Sequence, residues 1–182
     1  MTTKEILRSI GQFTDDQAKL FDEHIINRSL GKNDTLLCEN EICSALYYIK
    51  SGAFFQYQNL ETDANIIDLH LPGEWMFNQQ SLTEQNPSSS TIKAFLKSEV
   101  LELSLRNLHD LMTKSQSFLQ FGKFLNQSKI KSFMYDHSLN PTEKYNFIIG
   151  AKPELTKVFP VKMIASYLKI APETLSRVRA TV

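Results

Sequence analysis

The sequence predicts an α+β protein: short antiparallel strands closed into a sandwich or barrel, helices before and after them, and a small helical unit at the C-terminal end. Three observations predict it. Between residues 31 and 105 apolar side chains recur every second position, in short runs cut by turn residues. On either side of that stretch the spacing changes to three and four, the period of a half-buried helix. Residues 159–179 read as two short amphipathic helices with a tight break between them.

The N-terminal residues 4–30 have helical spacing, with Ile6, Ile10, Phe13, Leu20, Phe21, His24 and Ile25 on one side and an interruption near Gly11. Thr14, followed three residues later by Gln17, is a capped helix start. His24, on an apolar face, reads as a packed histidine and not as a ligand. Strands are expected at 35–38, 45–50, 53–58, 65–71, 91–97 and 100–105. In the later ones Ile67, Leu69 and Leu71 alternate with Asp68 and His70, Ile92, Ala94 and Leu96 with Lys93 and Phe95, and Leu101, Leu103 and Leu105 with Glu102 and Ser104. Ser51-Gly52 and residues 59–63 are turns by composition. So many short strands imply closure of the sheet. Residues 107–138 return to helical spacing through Leu108, Leu111, Met112, Phe118, Phe121, Leu125, Phe133 and Met134. That length exceeds an average helix, so two segments should meet near 113–117. Asn140-Pro141 ends the stretch and divides the chain into residues 1–138 and 139–182.

Charge separates the two parts further. The chain is neutral overall, yet from Lys157 onward Lys157, Lys162, Lys169, Arg177 and Arg179 face Glu173 alone. A basic end on an acidic body suits a nucleic-acid-binding head on a regulatory body. Cys38 and Cys43, the two cysteines, suit neither a disulfide framework nor a zinc ribbon and read as free thiols of a cytoplasmic protein. Met1 to Ile10 lacks the apolar run of a signal peptide, and no stretch approaches the roughly 20 apolar residues that span a bilayer.

In the C-terminal pair, Ile164, Ala165 and Leu168 form one apolar stripe, residues 169–171 the break, and Pro172 suits the first position of the second helix. Leu175 and Val178 point back to the first helix. Glu173, Ser176 and Arg177 share the opposite side, offering a carboxylate, a hydroxyl and a guanidinium that can read base edges in a major groove. The string Ile164-Ala165-x-Tyr167-Leu168-x-Ile170-x-Pro172-Glu173-Thr174-Leu175-Ser176-Arg177 resembles the helix-turn-helix of the CRP/FNR family of bacterial transcription regulators. Tyr47-Tyr48-Ile49-Lys50-Ser51-Gly52 resembles the strand and glycine turn of that family's cyclic-nucleotide-binding β-roll. The resemblance implies an N-terminal double-stranded β-roll flanked by helices, a long dimer helix with Phe118, Phe121 and Leu125 as its seam, and a small C-terminal helix-turn-helix domain. It implies a homodimer on double-stranded DNA, with Glu173, Thr174, Ser176 and Arg177 at the bases and Lys162, Lys169 and Arg179 at phosphates. The family's head normally continues into a β-wing, whereas this sequence stops at Val182, soon after Arg179; either the head is minimal or the chain is truncated.

The family's effector cassette carries a Gly-Glu pair and, further on, an arginine for the cyclic phosphate. Here it maps to Gly73, Glu74 and Trp75 through Ser88 and Ser89, which are the expected ligand-binding residues. The arginine is absent: none occurs between Arg28 and Arg106. A hydrogen bond to a charged group is worth roughly 1.5–3 kcal/mol, so its loss weakens a cyclic nucleotide by roughly ten- to a hundredfold. Cyclic AMP is therefore not expected as a tight effector; another small effector remains open, and Glu74 is open between a ligand contact and a turn residue. The alternative to a DNA-binding regulator is a ligand-sensing module that acts through protein partners and keeps a vestigial head. An enzyme of the cupin type would need clustered histidines, and His24, His70, His109 and His137 are scattered. No catalytic residues, metal site or cofactor is expected.

Overall fold

The first two helices start where side chains can cap them. Thr2 and Glu5 form a capping box for α1 (Thr3–Arg8), and Thr14 and Gln17 form the expected one for α2 (Asp15–Asp22). The computed structural model describes residues 2–59, 64–122 and 139–181. The helical spacing read through to residue 30 stops at α2, because Ile26–Leu30 is strand β1. It lies at a sheet edge, and of its five residues only Leu30 is buried. It therefore lacks the alternation that marks a half-buried strand.

Seven more strands follow: β2 (Thr35–Leu37), β3 (Ala45–Ser51), β4 (Phe54–Asn59), β5 (Ala64–His70), β6 (Trp75–Met76), β7 (Thr91–Ala94) and β8 (Ser98–Ser104). The short α3 (Gln79–Glu84), which periodicity does not reveal, sits between β6 and β7. The strands form two four-stranded antiparallel sheets, in the orders β1-β8-β3-β6 and β2-β7-β4-β5. Leu46, Ile49, Phe54, Met76, Ile92 and Leu103 fill the space between them and are almost wholly buried. At roughly 25 cal/mol per Å² of apolar surface, this layer is the main source of cohesion in the roll. Gly52 makes the expected turn between β3 and β4 at φ +87°, and a Cβ there would lie 2.6 Å from the Lys97 carbonyl oxygen. The turn at 60–63 lies outside the described residues, but β4 and β5 pair in antiparallel register out to Asn59 and Ala64.

α4 (Leu105–Lys114) ends at Ser115, inside the expected break, and a 3-10 helix (Gln116–Phe121) follows. Here one expectation needs correcting. Phe118 and Phe121 do not form an outward seam: both are fully buried, stacked on Phe21 with ring centroids 6.5 and 5.9 Å away. They close the roll over α2. Leu125, Phe133, Met134 and the rest of the expected dimer helix lie outside the described residues.

Asn140 and Glu143 form a third capping box, with Pro141 in the first turn, to start α5 (Pro141–Ala151). Then come α6 (Leu155–Val158), α7 (Val161–Leu168) and α8 (Pro172–Thr181). Tyr145, Ile148, Ile164, Leu168, Leu175 and Val178 build a second core, which also takes in Ala53, Ile66, Leu69 and Leu71 from the roll. The C-terminal helices thus pack directly on the β4–β5 side of the second sheet. No helix among the described residues is long and apolar enough to cross a membrane.

Candidate functional site

The end of α7 fixes the geometry of the helix pair. Lys169 adopts a left-handed conformation at φ +59°, its N–H donating to the Ser166 carbonyl, while the Ile170 N–H reaches the Ala165 carbonyl at 3.0 Å. The chain turns sharply and Pro172 opens α8. Leu175 and Val178 are buried in the second core. Glu173, Ser176, Arg177 and Arg179 are exposed on α8, and Thr174 is half-buried. The Arg177 Nε donates to the Glu173 carbonyl at 3.4 Å. Among the described residues neither Glu173 nor Arg177 enters an ion pair, so their charges face solvent. Lys162 is also exposed.

Lys169 is placed differently from the expectation of a phosphate contact. Its ammonium donates to Asn65 Oδ1 at 2.5 Å and to the Ile66 carbonyl at 2.7 Å. The Ile66 N–H in turn donates to Ser166 Oγ at 3.0 Å. Both backbone groups of one residue on the edge strand β5 are therefore satisfied by α7. Burial, and next the nearby charge of Lys144, hold the Lys169 ammonium below the usual lysine range.

A second joint lies at Glu74. Its carboxylate accepts from Lys152 Nζ at 2.9 Å, and the same ammonium donates to the Leu69 carbonyl at 2.8 Å and lies 4.0 Å from Asp68. His70 Nδ1 is 3.8 Å from Glu74. Burial pushes the Glu74 carboxyl upward, but the nearby His70 ring and the charge of Lys152 outweigh it and leave it below the usual carboxylate range. Gly73 is a turn residue at φ +91°, its N–H donating to the Ile49 carbonyl. Trp75 packs edge-on against Tyr48 and Phe121. Gly73, Glu74 and Trp75, expected in a ligand pocket, hold the roll together and join it to α5.

The cavity lies a few residues further on. It encloses ≈ 430 Å³ between β4, β5 and α3, and none of those three residues lines it. Gln56 and Gln58 face it from β4, Ile67 from β5, and Asn78, Gln79 and Gln80 from the start of α3. Ser89 and Ser90 close it opposite Thr83 and Glu84. Its inner wall is a fixed polar network. Asn78 Nδ2 donates to Ser88 Oγ at 2.8 Å and to Ser90 Oγ at 2.9 Å, and Gln56 Nε2 donates to Ser90 Oγ at 2.6 Å. Ser89, one of the expected ligand residues, lines the cavity and accepts from Gln58 at 3.1 Å; Ser88, the other, is buried behind it. The Gln56 Oε1, on a side chain 2% exposed, has no hydrogen-bond partner. Sequence reasoning missed Gln56, Asn78 and Lys152. The signal for Gln56 was available: it shares the inward parity of Phe54 on β4, and a polar residue there needs a reason.

Residues 27–115 match the family model for the cyclic nucleotide-binding domain. Solved structures share the α+β fold at low identity. The FixK2 structure from Bradyrhizobium japonicum is 16% identical with a TM-score of 0.68, the alignment covering 86% of this chain and 83% of that one. The Thermus thermophilus Catabolite Activator Protein is 17% identical with a TM-score of 0.60, covering 97% and 85%. CLP from Xanthomonas campestris, described as a c-di-GMP responsive global regulator, is 15% identical with a TM-score of 0.60, covering 92% and 91%. No curated protein sequence matches this chain.

Proposed function

We propose that the protein is a sequence-specific, DNA-binding transcription regulator of the CRP/FNR type that acts as a homodimer and carries a degenerate cyclic-nucleotide pocket. The observation that carries this reading is the outer face of α8, where a carboxylate, a hydroxyl and two guanidinium groups stand exposed while Leu175 and Val178 anchor the helix from behind. Residues 139–182 act as the head and residues 1–138 as the sensor with its dimer helix. Two copies of α8 enter successive major grooves roughly 34 Å apart on a near-palindromic site. Arg177 donates in bidentate fashion to a guanine and Glu173 accepts from a cytosine amine. Ser176 and Thr174 add base or phosphate contacts, and Lys162 and Arg179 hold phosphates. Lys169 contributes to DNA only once it leaves β5.

Selection of bound duplexes from a random pool tests this. The wild-type chain should enrich a two-fold symmetric motif, and Arg177→Ala should lose information at one base position of each half-site. Uniform weakening across all sequences would remove Arg177 from base reading, and failure to enrich any motif would reject the assignment.

A further inference from the structure

The cavity beside α3 has a chemistry of its own. Amides and hydroxyls dominate its lining, and the sole ionisable side chain among its lining residues is the Glu84 carboxylate. Among the described residues no lysine, arginine or histidine lines it. Lys93, on the neighbouring β7, sits 5.8 Å above the Tyr57 ring. An anion entering this space meets the like charge of Glu84 and no countercharge among the described lining residues. The interior also carries an unmet acceptor. Gln56 is fixed by its own donation to Ser90, and its buried Oε1 lacks a donor. An unsatisfied buried polar group calls for an explanation, and a ligand hydroxyl or N–H supplies the missing donor. The volume lies within the range of small-molecule sites.

We propose that this cavity binds an uncharged small molecule rich in hydroxyl donors, of sugar to nucleoside size, and discriminates against its phosphate esters. This deepens the regulator reading by naming the class of effector, and it rests on that reading only for its regulatory consequence. In the bound state the Gln56 carbonyl accepts from the ligand, Asn78 and Ser90 hold Gln56 in place, and Glu84 at the rim excludes anions.

Calorimetric titration of the full chain, without DNA, tests the proposal with matched pairs: ribose and ribose 5-phosphate, glucose and glucose 6-phosphate, adenosine and adenosine 3′,5′-cyclic phosphate. At least one neutral compound should bind with a sub-millimolar Kd, and its phosphorylated partner at least tenfold more weakly. Equal or tighter binding of the phosphorylated partner overturns the proposal, as does the absence of binding by all three neutral compounds. Gln56→Met should abolish the neutral compound's binding while leaving the melting temperature unchanged or raised. If that variant does not fold, Glu84→Lys at the exposed rim serves instead and should shrink the discrimination; unaltered discrimination there overturns the charge argument. Because DNA is absent, failure here is distinct from failure of the DNA-binding assignment, which the duplex selection reads separately.

Discussion

On the proposed reading, serine stands where a phosphate-binding cation would be needed. Ser89 is exposed and lines the cavity. Ser89→Arg should bring a guanidinium to its mouth and, at roughly 1.5–3 kcal/mol for a charged hydrogen bond, strengthen cyclic AMP binding by about ten- to a hundredfold; unchanged affinity in calorimetry would count against the electrostatic account. Glu74 gives a second prediction. Its carboxyl is held below its ordinary value of 4.5 in the folded protein. Its contribution to stability is therefore complete above that value and is lost as the pH falls through the lowered folded-state pKa. Thermal melts from pH 7 to pH 3 should show Glu74→Gln less stable at neutral pH and losing less stability on acidification; parallel profiles would refute the ion pair's role. These residues also show where sequence reading stopped. Gly73-Glu74 has the letters of a ligand motif, and the structure adds what no local pattern shows: the glycine takes a positive φ and the glutamate pairs with Lys152, nearly eighty residues away. The absence of an arginine between Arg28 and Arg106 could be counted in the sequence, while the unpaired Gln56 carbonyl could be found only in three dimensions.

Among the elements, α7 is held on β5 by polar contacts as well as apolar ones. Ser166→Ala would leave the Ile66 N–H buried and unpaired, at a cost of about 1–3 kcal/mol. Hydrogen exchange at the Ile66 amide should then be faster by about tenfold or more, and an unaltered rate would show that this bond does not hold the joint. Leu175 is fully buried beneath the proposed recognition face, so Leu175→Ala should cost about 2–5 kcal/mol in denaturant unfolding and, on the proposed function, weaken DNA binding without changing base preference. Strands such as β8 were legible by alternation, and β3, whose first five residues are all buried, as a short apolar run. β1 was read as helix because an edge strand with a single buried residue has no alternation to show. The two phenylalanines of the 3-10 helix were assigned outward because a narrow apolar stripe looks the same whether it meets a second copy or the protein's own α2. The pair of C-terminal helices was legible, since its break, its proline and its apolar spacing are all local.

At the scale of the whole molecule, the second core makes the C-terminal helices and the β4–β5 side of the roll one packed unit. Nothing in the sequence revealed that docking, because it depends on pairs such as Ile66 with Ser166 and Glu74 with Lys152, which local patterns do not encode. It gives the cavity a short route to α8. Ile67 lines the cavity, and Ile66, its neighbour in the chain, carries both bonds to α7. On the proposed function, a compound that moved β5 would act on α7, and through it on α8, by way of a single peptide.

The covering of β5 has one more consequence. An outer strand whose amides and carbonyls are bare is a template for any other chain in extended conformation. Here the side chains of Ser166 and Lys169 occupy those groups at Ile66. If the head swings onto a duplex, as the proposed function requires, that rim is uncovered, and a chain caught between its two positions should become sticky toward its own kind.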